Sequence, residues 1–179
     1  ATPEEMENFA RYAETLISRN KGKIHYWEVW NEPNITPFWV PTPDAALYAD
    51  LLQRVYTVAK KADPDAQVVA MCTAGPDYKF IENAYRNGAV GHLDALSYHH
   101  YDSTHNESIL EEEIRTIKRI MERYGDAGKP FFITELGYST GPSEIVKPST
   151  YEEQAEWIVK AHLLAIAEDV QRLYYFKMV

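Results

Sequence analysis

Two apolar rhythms alternate along the chain, one with helical period and one in short β-branched or aromatic runs. Met6, Phe9, Tyr12, Ala13, Leu16 and Ile17 recur at three- and four-residue spacing. They follow Thr2-Pro3-Glu4-Glu5, where a capping threonine, a first-turn proline and a glutamate predict a helix start. Lys23 to Trp30 shifts to strand-like composition and halts at the turn-forming Asn31-Glu32-Pro33-Asn34. The alternation then repeats. A helix is predicted from Pro43 to Ala62 and a buried strand from Gln67 to Thr73, then a short helix from Lys79 to Asn87, closed by Gly88, and a strand from Leu93 to Tyr98. Ser108-Ile109-Leu110-Glu111 reads as a capping box for a helix reaching Tyr124, before a strand from Pro130 to Thr134. Thr150-Tyr151-Glu152-Glu153 opens a helix to about Glu168, and Gln171 to Val179 reads as the last strand.

Five strands separated by four long helices predict an α/β fold of parallel strands joined by right-handed crossovers. No linker divides the chain, so residues 1–179 are expected to form a single domain. Glu32, His99, Tyr101 and Glu135 all fall where strands end, the rim at which parallel sheets bind ligands.

Composition narrows the classes of partner. With 45% hydrophobic and 13% aromatic residues the chain can bury a substantial core. A formal charge of −9 and a pI near 5.1 argue against nucleic acid and anionic membrane surfaces, which need a basic footprint. The single cysteine, Cys72, excludes a disulfide within the chain and a cysteine-rich zinc site, and reads as a small buried hydrophobe. No run approaches the roughly 18 to 20 apolar residues of a membrane span, and Ala1 to Glu7 is not a signal peptide, so a soluble chain of unassigned compartment is expected.

Two strand-end carboxylates on one face suggest glycoside hydrolysis. That reaction needs an acid to protonate the departing oxygen and a carboxylate to attack or to activate water, because its transition state is a positively charged sugar. A solvated rim or an ion pair is the plainer reading of each glutamate alone. His99, His100, Asp102 and His105 are dense enough to admit a metal-binding alternative, although their spacing matches no zinc pattern. Trp30, Trp39, Tyr138 and Phe176 are candidate sugar-stacking platforms, with ordinary packing the competing reading, and Tyr48 and Trp157 belong on core-facing helices.

Trp27-Glu28-Val29-Trp30-Asn31-Glu32-Pro33-Asn34 resembles the Asn-Glu-Pro signature ending the fourth barrel strand of clan A glycoside hydrolases. Phe131-Phe132-Ile133-Thr134-Glu135-Leu136-Gly137-Tyr138-Ser139 resembles that clan's nucleophile strand, the seventh. The order is right, two βα units lie between the motifs, and family 39 with its cellulase-like relatives in family 5 is the nearest flavour. This resemblance implies a partial (truncated) TIM (β/α) barrel comprising strands four to eight. It implies Glu32 as acid/base, Glu135 as nucleophile and Asn31 as hydrogen-bond partner of the sugar 2-hydroxyl, in retaining cleavage of β-glycosidic bonds without cofactor or metal. His99 and Tyr101 resemble the His-x-Tyr element of the sixth strand, with Tyr101 donating to Glu135 or steadying the sugar.

A closed barrel of this kind has eight strands and typically about 250 residues. The first three strands have no counterpart in the sequence, nor does the arginine that usually supports the nucleophile from the second. Tyr174-Tyr175-Phe176 stands where many relatives carry a platform tryptophan. An open five-stranded sheet exposes two edges, so either a homo-oligomer closes the gap or the chain is part of a longer gene product. The alternative function is a carbohydrate-binding or assembly module with little turnover. Ester cleavage is a weaker rival, as no Gly-x-Ser-x-Gly elbow is present.

Overall fold

The computed structural model describes residues 2–102, 104–142 and 148–176. Helices and strands alternate as α1 (Pro3–Arg19), β1 (Tyr26–Glu28), α2 (Ala45–Ala62), β2 (Gln67–Ala74), α3 (Tyr78–Ala84), β3 (Ala95–His100), α4 (Glu107–Arg123), β4 (Phe131–Leu136), α5 (Tyr151–Ala167) and β5 (Arg172–Tyr175). The five strands form one parallel sheet in chain order, the parallel arrangement expected from the repeat and the partial barrel implied by the resemblance. No described helix is long and apolar enough to cross a membrane.

Strand periodicity separates the two faces of the sheet. Val68, Ala70, Leu96, Tyr98, Phe131 and Ile133 pack into the large core shared with the helices, while Val69, Ala95 and Phe132 form a small cluster of their own. The sheet is strongly curled: the Arg172 guanidinium on β5 lies 4.4 Å from the ring centre of Tyr26 on β1 and 5.7 Å from that of Phe132. Side chains of the first and last strands thus meet across the concave side. On α4, Leu110, Ile114, Ile117, Ile120 and Met121 recur at helical spacing and are buried. The capping boxes at Thr2 and Thr150 both form, with Glu5 and Glu153 as reciprocal partners.

Several boundaries depart from the pattern. The α4 cap is Asn106, which accepts the Ser108 N–H at 3.0 Å, so the Ser108 box is not used. The short helix α3 passes at Tyr85 into a π-helical turn ending at Ala89, because Asn87 and Gly88 leave helical geometry, Gly88 with φ +110°. β1 has three residues instead of eight. β3 starts two residues later than expected and runs to His100, and β4 continues through Leu136, so Glu135 lies inside its strand. The last strand ends at Tyr175, and residues 177–179 of its expected span lie outside the described residues.

Candidate active site

Glu32 is held by a loop that remains laced to β2 after β1 has stopped. Val29 N–H donates to the Val69 carbonyl at 3.0 Å and Glu32 N–H to the Cys72 carbonyl at 2.9 Å. The Asn34 amide pairs with Ala74 in both directions, its Nδ2 donating at 3.0 Å and its Oδ1 accepting at 2.8 Å. Trp30 and Glu32 take left-handed φ values of 70° and 46°. Such values cost a side-chain-bearing residue about 1–2 kcal/mol each and persist only where surrounding bonds fix them. Facing them on β2, Met71 and Cys72 are also left-handed, at 80° and 46°, where the β2–β3 register shifts.

β3 contributes His99, 1% exposed, and β4 contributes Glu135. The His99 Nδ1 lies 2.8 Å from Glu32 Oε1 and 3.6 Å from Glu135 Oε2. Whenever Glu32 is a carboxylate it can only accept, and the proton of this hydrogen bond is then carried by Nδ1. Tyr101, two residues past His99, donates its hydroxyl to Glu135 Oε2 at 2.6 Å. Burial, then this bond, pushes its pKa far above the ordinary phenol range, so it remains a donor. Beneath the pair, Ser97 Oγ donates to Glu28 Oε1 at 2.6 Å and lies 3.2 Å from Cys72 Sγ.

Gly137 closes the wall behind Glu135. A Cβ there would stand 2.2 Å from the Phe176 carbonyl oxygen and 3.3 Å from the Tyr101 ring, so only glycine lets β5 approach. The sequence offered Gly137 only as a letter beside the nucleophile motif. Asn34 and Gly137 were both missed as determinants of the site, since each acts on backbone remote in sequence.

The structure therefore brings Glu32, His99, Tyr101 and Glu135 together. Asn31 is exposed on the loop before Glu32, and Phe176 is half exposed at the end of β5, its N–H bonded to the Leu136 carbonyl at 2.8 Å. Trp30 turns elsewhere. Its ring packs on Phe9 and Trp39, its Nε1 donates to the Phe38 carbonyl at 2.9 Å, and it lines a cavity of about 320 Å³ whose walls include neither glutamate. Tyr138 is buried against His105 and Trp157 on the α5 side.

The His99, His100, Asp102 and His105 set is dispersed. His100 bonds Glu113 at 2.7 Å, Asp102 accepts from Thr104 and Asn106, and His105 Nε2 pairs with Ser149 Oγ at 2.8 Å. Among the described residues, the donor atoms that could share a cation, all within 4.8 Å of one another, are instead those of Glu32, His99 and Glu135.

No family model matches the chain. It is 28% identical over 170 residues to a beta-xylosidase of Caldicellulosiruptor saccharolyticus, covering 87% of this chain and 33% of that protein. It is 25% identical over 175 residues to endo-1,4-beta-xylanase C of Paenibacillus barcinonensis, covering 84% of this chain and 16% of the xylanase. A solved family 39 glycoside hydrolase from Bacteroides cellulosilyticus superposes with a TM-score of 0.75 at 22% identity, covering 97% of this chain and 38% of that one. The chain thus spans about a third or less of the curated relatives it matches. Its homologues are glycoside hydrolases, and the likeness of motif to family 39 is matched by a likeness of fold.

Proposed function

We propose that this chain, whose homologues are glycoside hydrolases, cleaves β-glycosidic bonds with retention of configuration, using Glu32 as acid/base and Glu135 as nucleophile. The observation that carries the reading is the closeness of the two carboxylates, whose oxygens come within 4.8 Å of each other around His99. Retaining sites place their carboxyl groups roughly 5 to 5.5 Å apart, whereas inverting sites leave about 6.5 to 9.5 Å for a water.

In the first step Glu32 gives its proton to the glycosidic oxygen as the C–O bond breaks, and a Glu135 oxygen attacks the anomeric carbon to form a glycosyl ester. In the second, Glu32 takes a proton from water, which attacks the same carbon and releases Glu135 as a carboxylate. Tyr101 is a fixed donor to Glu135, and His99 bonds Glu32 on the other side of the pair, where charge appears and disappears through the cycle. Asn31 reaches the sugar 2-hydroxyl and Phe176 flanks the opening. The xylosidase and xylanase relatives make β-xylosides the first substrates to try.

The test is a panel of nitrophenyl β-glycosides, β-xyloside included, with Glu32→Ala and Glu135→Ala. Each variant should abolish hydrolysis, and azide should partly restore turnover in Glu32→Ala alone, since azide attacks the glycosyl ester without a base. Full activity in both variants would refute the assignment.

One observation favours a second reading, a carbohydrate-binding module with little turnover. The concave face is open beside the site, with Tyr26, Tyr174 and Phe176 at 40%, 48% and 50% exposure. Oligosaccharide binding without release of reducing ends would support it. The same open face and the unpaired edges of β1 and β5 motivate a further part of the proposal: one domain whose edges are covered by a second copy in solution. Light scattering that gives a monomer at micromolar concentration would refute that part.

A further inference from the structure

Tyr48 sits in the first turn of α2, wholly buried, with its ring between Trp39 and Phe80. Nothing in that packing requires a hydroxyl. Yet the Tyr48 oxygen accepts the Met71 N–H at 2.8 Å and donates to the Val29 carbonyl at 3.3 Å. These two backbone groups belong to the segments that deviate from regular strand geometry. Met71 opens the left-handed pair Met71-Cys72 on β2, and Val29 immediately precedes left-handed Trp30. The Cys72 carbonyl then receives the Glu32 N–H at 2.9 Å. A short chain of contacts therefore runs from the Tyr48 hydroxyl, through the bulge on β2 and the bend after β1, to the backbone of Glu32.

We infer that Tyr48 is a positioning residue whose hydroxyl clamps both backbone deformations and so holds Glu32 in register with His99. The physical reason is that each deformation turns a peptide group out of the sheet ladder, and a buried peptide group needs a partner. One phenol supplies a donor to one segment and an acceptor to the other, which a phenylalanine of the same shape cannot do. Desolvation keeps that phenol protonated, so the clamp keeps its donor.

The inference rests on the reading of Glu32 as acid/base only for its importance; the geometry is testable without turnover. The readout is solvent exchange of the His99 Nδ1 proton, followed by nitrogen-15 NMR of the full chain. Glu32→Ala identifies the signal by abolishing its protection. Tyr48→Phe should speed this exchange at least tenfold relative to the backbone amides of β4, measured in the same sample. An unchanged ratio overturns the inference, whatever happens to overall stability. If Tyr48→Phe does not fold, 3-fluorotyrosine at position 48 carries the test. It preserves the shape and weakens the oxygen as an acceptor, so a raised exchange ratio supports the clamp and an unaltered one overturns it. The glycoside panel tests the hydrolase reading separately, so the two failures are distinguishable.

Discussion

His99 Nδ1 shares a hydrogen bond with Oε1 of Glu32 over 2.8 Å, from a ring that is 1% exposed. The same nitrogen is 3.6 Å from Glu135, so the imidazole orients Glu32 by a hydrogen bond and stands between the two carboxylates. Replacing it with His99→Phe should lower kcat by about ten- to hundredfold, the scale on which an orienting partner matters, while KM changes little. Steady-state kinetics on an aryl β-xyloside measures the split, and a loss confined to KM would contradict this role.

Tyr101 is a fixed donor to Glu135 at 2.6 Å. Tyr101→Phe removes one preorganised hydrogen bond and should reduce kcat by about 10²–10³-fold with the fold intact by circular dichroism. Wild-type kcat in a folded variant would contradict the reading.

Gly137→Ala forces a Cβ within 2.2 Å of the Phe176 carbonyl, a backbone atom that cannot rotate aside. The end of β5 must move away from β4, at about 1–3 kcal/mol for overpacking. Urea titration should show the lower midpoint, with activity falling further than stability because Tyr101 packs against the same glycine.

Burial raises the pKa values of Tyr48, Tyr85, Tyr98 and Tyr101 above the ordinary phenol value of about 10. The folded chain keeps these protons where the unfolded chain releases them. Their contribution to stability is therefore complete below pH ~10 and is lost as pH rises beyond it. Tyrosinate absorbance and loss of circular dichroism should consequently rise together in alkali for these four residues. Ionisation of all thirteen tyrosines with the fold intact would contradict the burial.

The alternation of helices and strands was legible in the sequence because burial on one face imposes a period on each element. The carboxylate pair was legible because each motif couples a glutamate to the carboxyl-terminal part of an apolar strand, although Glu135 lies inside β4 and Glu32 four residues past β1. The length of β1 and the aim of Trp30 were not, since both depend on left-handed backbone at Trp30 and Glu32, residues whose side chains give no such signal. Trp30 precedes Glu32 by two positions, yet the bend sends it to Phe9 and Trp39. Tyr48 reads as core by its spacing, and core it is; the contacts of its hydroxyl are made with Val29 and Met71, from segments the sequence keeps apart. Asn106 in place of Ser108 as the α4 cap shows the same limit, because two capping residues stood two positions apart and geometry chose between them.

Glu135 as the nucleophile is open to a direct chemical trap. Incubation with a dinitrophenyl 2-deoxy-2-fluoro-β-xyloside, whose good leaving group allows the first step and whose fluorine slows the second, should trap the glycosyl ester. Peptide mass spectrometry is then expected to find one sugar per chain on the peptide bearing Glu135, absent in Glu135→Ala. A chain that turns over aryl β-xylosides but carries no adduct, or carries it on another residue, would contradict the account.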